Sequence, residues 1–329
     1  MPHPNLRIEM NPRFILLLLI LLTPLSLLLA LSIGSVPVKL SALINDSDAL
    51  GRSLILELRL PRALSAFVVG GLLALAGALM QVLLRNPLAD PYILGISGGA
   101  AVGALLSMLL GLGAGWTTGN AFVGSLLSML LVFSLAHSRG HWSAMRLLLT
   151  GIVVAAGWGA VISFILAISP ERALHGMLFW LMGDLSHAPP PLQGLIIISV
   201  GLLFCLPFAR DLNVLARGEL TAAALGVSVQ RLRLVLYVVA SLLTATAVTI
   251  AGSVGFVGLV IPHLLRLLGL SDHRYLLPAA VLAGGCLLVL ADTVARSVMA
   301  PQQLPVGVIT ALLGVPVFLY LLHRRGSHL

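Results

Sequence analysis

Ten windows of this chain, each close to the length of a membrane-spanning helix, carry almost no ionisable group: residues 14–33, 63–84, 92–113, 120–137, 147–169, 190–209, 232–252, 254–270, 275–297 and 303–322. A hydrocarbon layer about 30 Å thick takes roughly 20 apolar residues in helical form, because a helix satisfies its own backbone polar groups where no water can. The windows predict an all-α integral membrane protein with about ten transmembrane helices. Of the 329 residues, 59% are hydrophobic and 9% charged, whereas a soluble domain gives roughly a quarter to charge. Arg7 and Arg13 precede the first window with the polarity of a signal peptide. The run from Phe14 to Ile33 is nevertheless longer than the roughly 7–15 apolar residues of a cleaved leader, so a retained first helix is expected.

The net charge of +8 does not point to nucleic acid, because the basic residues are scattered at helix ends rather than gathered on a face. Lys39 is the one lysine and is followed by Leu40, so there is no Gly-Lys-Ser/Thr phosphate loop and no ATP hydrolysis by that route. Cys205 and Cys286 lie in separate apolar runs and read as packing residues. With both termini cytoplasmic, thirteen of the nineteen basic residues fall inside and six (Lys39, Arg52, Arg59, Arg62, Arg172 and Arg296) outside, in keeping with the positive-inside bias. Removing the eighth window from the count would place Arg324 and Arg325 outside.

That eighth window is the odd one, because it contains Pro262, His263 and Arg266. Proline lacks an N–H and crowds the preceding turn, so a kink or break is expected unless neighbouring helices and His263 satisfy the freed carbonyl. Arg266 reaches the inner interface, and Ser271-Asp272 caps the ninth helix. Residues 171–187 predict a short helix lying at the outer surface, with Phe179 and Trp180 as interfacial residues. Residues 211–233 form the longest inner connection and hold a short cytoplasmic helix.

Within the spans, Asp292 is the exceptional acid, and Arg296 four residues on predicts an intrahelical pair. No catalytic set is present, and no metal site is expected: His137 and His141 have ligand-compatible spacing but no third ligand. Gly151, Ala155 and Gly159 recur every four residues and are equally consistent with helix packing and with a smooth pathway wall. Arg59, Arg62 and Arg296 share an outer level. Lone arginines there would anchor the interface, but three suggest a site for a partner's carboxylates, open to replacement by Glu without loss of insertion. In Gly218–Gly226, Ala222 and Ala223 on a short helix would let it sit in another protein's groove.

These stretches, together with "RLPRALSAFVVGGLLALAGALMQVLLRNPLADPYILGISGGAAVGALL" from 59, "FVGLVIPHLLRLLGLSDHRYLLP" from 256 and "LADTVARSVMAPQQLPVGVITALLGVPVFLYLL" from 290, resemble the FecCD-type permeases of type II ABC importers for iron-siderophore complexes, haem and cobalamin. The resemblance covers nearly the whole chain, one permease domain over 1–329. It implies the type II ABC importer permease fold in a bacterial inner membrane and a homodimer. It also implies two cytoplasmic ABC ATPases, which hold the ATP and Mg, and a periplasmic or surface substrate-binding protein. By the same resemblance Arg59, Arg62 and Arg296 receive acidic residues of the binding protein. Gly218, Glu219, Ala222, Ala223, Leu225 and Gly226 match the helix that couples to the ATPase, and Asn86, Leu88, Ala144 and Met145 match a cytoplasmic gate. A proton-coupled secondary transporter is the alternative reading, and a proton relay would call for acidic or histidine groups at mid-depth.

Overall fold

The structure is a computed structural model that describes residues 11–38, 41, 48–137, 143–186 and 188–326. Its helices are α1 (Pro12–Ser32), α2 (Ala49–Ser53), α3 (Leu60–Leu83), α4 (Ile96–Leu109), α5 (Ala114–Ala136), α6 (Ala144–Ile168) and α7 (Glu171–Met182). After these come α8 (Leu192–Cys205), α9 (Ala209–Leu215), α10 (Glu219–Ala224), α11 (Val229–Ala251), α12 (Val257–Leu267), α13 (His273–Ala295) and α14 (Val306–Gly326). A π-helical stretch, Leu54–Arg59, joins α2 to α3, and among the described residues there is no strand. Each of the ten apolar windows contains one helix. Seven helical segments are long and apolar enough to cross a membrane, with α2 and α3 counted as one and α8 and α9 as one, and three apolar helices are shorter.

The chain is built around α3. Every residue from Val68 to Leu83 is buried, as expected of a helix that is apolar on all sides, and α13, α11 and α12 pack around it. Backbones touch where α3 crosses α13: a Cβ on Gly70 would lie 2.1 Å from the Gly284 carbonyl oxygen, and one on Gly284 would lie 2.4 Å from that of Gly70. By contrast α6 buries few residues and leaves Val153 and Phe164 exposed.

Two helices stop short. With 14 and 11 residues, α4 and α12 extend about 21 and 16 Å, too little for a 30 Å layer. The start of α4, with the 3₁₀ turn Pro91–Leu94 before it, bonds to the irregular segment Gly252–Phe256 that precedes α12. The Val254 N–H donates to the Tyr92 hydroxyl at 3.0 Å, and the Ser97 hydroxyl donates to that of Ser253 at 3.0 Å. Gly252 and Phe256 supply the left-handed turns, with φ of 68 and 70°. Irregular backbone within the hydrocarbon layer is tolerated only where protein surrounds it.

Pro262 does not break α12, which runs through it. The carbonyl it frees is that of Gly258, four residues back. Gln81 of α3 answers it: its Nε2 donates to Gly258 O at 3.3 Å and to Leu259 O at 3.1 Å. Its Oε1 accepts from the Arg266 guanidinium, and Gly77 lies so near that a Cβ would sit 1.9 Å from Gly258 O. Gln81→Leu is expected to lower stability by about 2 kcal/mol, the cost of leaving buried carbonyls and a guanidinium without partners. Detergent-titrated unfolding measures it, and a loss no larger than for Gln81→Asn, which shortens the same amide, would remove the bridging role.

Candidate functional site

The two ends of the bundle carry different chemistry. At one end the C-terminus of α1 meets the start of α3 and the finish of α13. The last-turn carbonyls of a helix have no donor within it and carry its negative dipole. Here two guanidiniums supply donors. Arg59 donates to Leu31 O at 2.7 Å, to Ser32 O at 3.3 Å and to Val36 O, while Arg296 donates to Ala30 O. Both arginines are buried.

Arg62 completes the set. Its Nε and Nη2 donate to both Asp292 oxygens at 2.8–3.1 Å, and its Nη1 donates to Gln303 Oε1 at 2.7 Å. Asp292 is only 2% exposed. The expected intrahelical pair is present, with Arg296 Nε 3.8 Å from Asp292 Oδ2, but the close partner comes from α3. The helical spacing was right, but Arg62 reaches the carboxylate in a two-point geometry that a neighbour four residues along cannot match.

The three arginines do converge, on a recess of about 390 Å³ also lined by Glu57 and Gln303. Because Arg59 and Arg296 are buried, replacing all three by Glu would set two carboxylates against helix carbonyls, so a loss of stability is expected beside any loss of docking. A second recess of about 930 Å³ opens beside it, lined by Thr117, His175, Phe179, Trp180, Asp184 and Gln303. The predicted short helix is present as α7, in which Met177 is the one buried residue; it packs on α4 and α14, and just after it the Asp184 N–H donates to Ala251 O at 2.9 Å. Phe179 and Trp180 both line the recess.

At the opposite end, Gly218 is the N-cap of α10 and Gly226 follows it. Ala222 is fully buried against the chain's own core, while Ala223, Leu225 and Gly226 are exposed. So Ala222 is not on the exposed face of α10. Leu220, which sequence reasoning passed over, is, at 89% exposure. Glu219 pairs with Arg233 of α11 and lies 3.5 Å from Arg85. Nearby, Asn213 bridges α9 to α13 through Asp272 at 2.8 Å and the His273 N–H at 2.9 Å. Partial burial works to raise the Asp272 carboxyl, but bonds from the Arg274 N–H and the Asn213 amide, with the adjacent cationic charge, hold it below the ordinary carboxylate range.

Asn86 and Leu88 lie in the turn after α3, where the Asn86 side chain accepts from the Leu88 N–H at 2.9 Å. Ala144 and Met145 begin α6, Met145 exposed. The small residues of α6 divide. Gly151 packs on Ile93, where a Cβ would lie 2.4 Å from its carbonyl oxygen, whereas Gly159 faces open space beside the half-buried Ala155. Packing explains the first, and it is corrected out of any pathway lining. Among the described residues no three His, Cys, Asp or Glu side chains gather as metal ligands; His141 lies outside them, as does Lys39.

A bundle of apolar helices, two of them short, with an arginine recess at one end and a short exposed helix at the other, defines the class: an all-α integral membrane protein. Residues 18–324 match the FecCD transport family, and the chain belongs to it. It is 41% identical over 279 residues to the vitamin B12 import system permease protein BtuC of Citrobacter koseri, covering 84% of each chain. It is 38% identical to the ABC transporter permease protein YvrB of Bacillus subtilis, whose function is uncharacterised, over 92% of each. Among solved structures it superposes, with a TM-score of 0.83 and 32% identity, on a transporter assigned to the metal-chelate ABC type in an inward-facing conformation, covering 95% of this chain and 99% of that one. The fold alone is shared with PsaBC from Streptococcus pneumoniae, at 19% identity and a TM-score of 0.56.

Proposed function

We propose that this chain is the permease of an ATP-binding cassette importer that carries a metal chelate across the bacterial cytoplasmic membrane, with both termini in the cytoplasm. Two copies form the passage. Two ATPase subunits, which hold the ATP and Mg, meet α10 and its exposed Leu220 and Leu225. A substrate-binding protein docks over the recess of Arg59, Arg62 and Arg296. Asn86, Leu88, Ala144 and Met145 close the cytoplasmic side, and Ala155 and Gly159 face the passage or the second copy.

The observation that carries this reading is the likeness, near 40% over most of the chain, to permeases that import vitamin B12. It makes a corrinoid the first cargo to test, ahead of ferric siderophores and haem. The single close-paired acid in α13 fits a conduit driven from outside better than a proton relay, which needs a carboxylate free to titrate.

The test is uptake into proteoliposomes holding the permease, its ATPase and its binding protein. Accumulation of cobalamin that needs ATP and ignores a proton gradient is expected. Uphill uptake by the permease alone, driven by an imposed proton gradient, would overturn the reading.

A further inference from the structure

Arg85 closes α3 in a conformation that arginine rarely adopts. Its φ is 48°, in the left-handed region. The Arg85 N–H donates to Val82 O at 3.2 Å and the Asn86 N–H to Gln81 O at 3.1 Å, the bond pair of a Schellman stop. Glycine is the usual residue there, because a β-carbon is disfavoured. Strain held at one position calls for something the side chain does.

The side chain leads to α10. Its guanidinium lies 3.5 Å from Glu219 Oε1, and the same oxygen takes Arg233 of α11. One carboxylate on the first residue of α10 thus joins that helix to α11 and to the turn after α3. Asn86 follows Arg85 directly, and its side chain fixes the Leu88 N–H. One turn earlier, Gln81 grips α12. A shift of α10 therefore reaches the 86–88 turn through Arg85, between two segments that are 134 positions apart in the chain.

We infer that Arg85 is a positioning residue, a strap that carries displacement of α10 to the turn holding Asn86 and Leu88. This rests on the assignment of α10 to ATPase contact and of that turn to the cytoplasmic gate. Glu219, within the segment already assigned to coupling, is its anchor, and the left-handed turn keeps the strap taut by fixing where the side chain starts.

Arg85→Gly separates the strap from the fold, since it deletes the ion pair while giving the turn its favoured residue. In the reconstituted importer this variant is expected to assemble with the ATPase, to melt no lower than the unaltered protein and to hydrolyse ATP. It should move about five-fold less chelate per ATP, the factor matching an exposed ion pair of about 1 kcal/mol. Arg85→Lys, which keeps the charge, should recover most of that ratio. In a Glu219→Gln background Arg85→Gly should bring no further loss, because partners in one interaction are not additive. An unchanged ratio in Arg85→Gly, or an equal additional loss in the Glu219→Gln background, would overturn the inference. Absence of ATP-driven uptake by the unaltered importer overturns the functional reading, and this inference with it, before any variant is compared.

Discussion

Asp292→Ala is expected to destabilise the protein by about 3–5 kcal/mol, the cost of removing one member of a buried charged cluster. Asp292 is the carboxylate that Arg62 grips at 2.8 Å and Arg296 approaches at 3.8 Å. Without it, these two guanidiniums and the buried Arg59 face one recess with like charge. The helix carbonyls that Arg59 and Arg296 meet are dipoles, not counter-ions, and cannot neutralise three cations in a partly dry site. Thermal unfolding in detergent micelles reads the loss. A double variant, Asp292→Leu with Arg62→Met, should be less damaging than Asp292→Ala alone, because a charge removed with its partner leaves less uncompensated. A single variant within about 1 kcal/mol of the parent would show that water or lipid headgroups reach the cluster.

Gly70→Ala should cost about 3 kcal/mol, although replacing glycine by alanine in a helix ordinarily stabilises by about 1 kcal/mol. The sign is decided by what the methyl meets. At Gly70 it meets the Gly284 carbonyl at 2.1 Å, which is backbone and cannot rotate aside, so α3 and α13 must separate along their crossing. In a bilayer, lipid is as apolar as leucine, and close packing of this kind is a main source of helix association. Gly119, on α5, has nothing within 4 Å of its would-be Cβ and serves as the control. Gly119→Ala should be neutral or slightly stabilising. Equal effects at the two positions would mean that the crossing is not tight.

Much of this architecture was legible in the sequence for one reason: charge-free windows are enforced by the bilayer, whatever the tertiary fold. The depth of each helix was not legible. The third window has the composition of a full span and the eighth stands out only for Pro262, His263 and Arg266, yet α4 and α12 are both short, because their lengths are set by the turns at Asp90–Gly95 and Gly252–Phe256 and by what encloses them. Proline at 262 was visible as a problem, and its solution was visible only as an isolated amide in "ALMQVLL"; that Gln81 turns toward Gly258, 177 positions on, is a fact of packing. The arginine recess was found by level along the spans, but level does not say which carboxylate each arginine takes. Spacing offered Arg296 to Asp292, and geometry added a closer partner, Arg62, from 230 positions away. In α10, six residues are too few for a periodic pattern to tell the inner face from the outer. The alanines drew attention because they are small, and the surface is led instead by Leu220.

The end of α1 has a consequence for how the protein is made. Ala30 leaves the ribosome early, and the guanidinium that its carbonyl accepts from belongs to a residue 266 positions later. Until that residue is synthesised, the first helix must sit in the bilayer with part of its terminus unanswered, so assembly of this end is a post-insertion event that the nascent chain cannot finish in order. A stalled chain ending before Arg296 should stay inserted yet leave α1 open to protease at that terminus, while release of a few further residues should seal it.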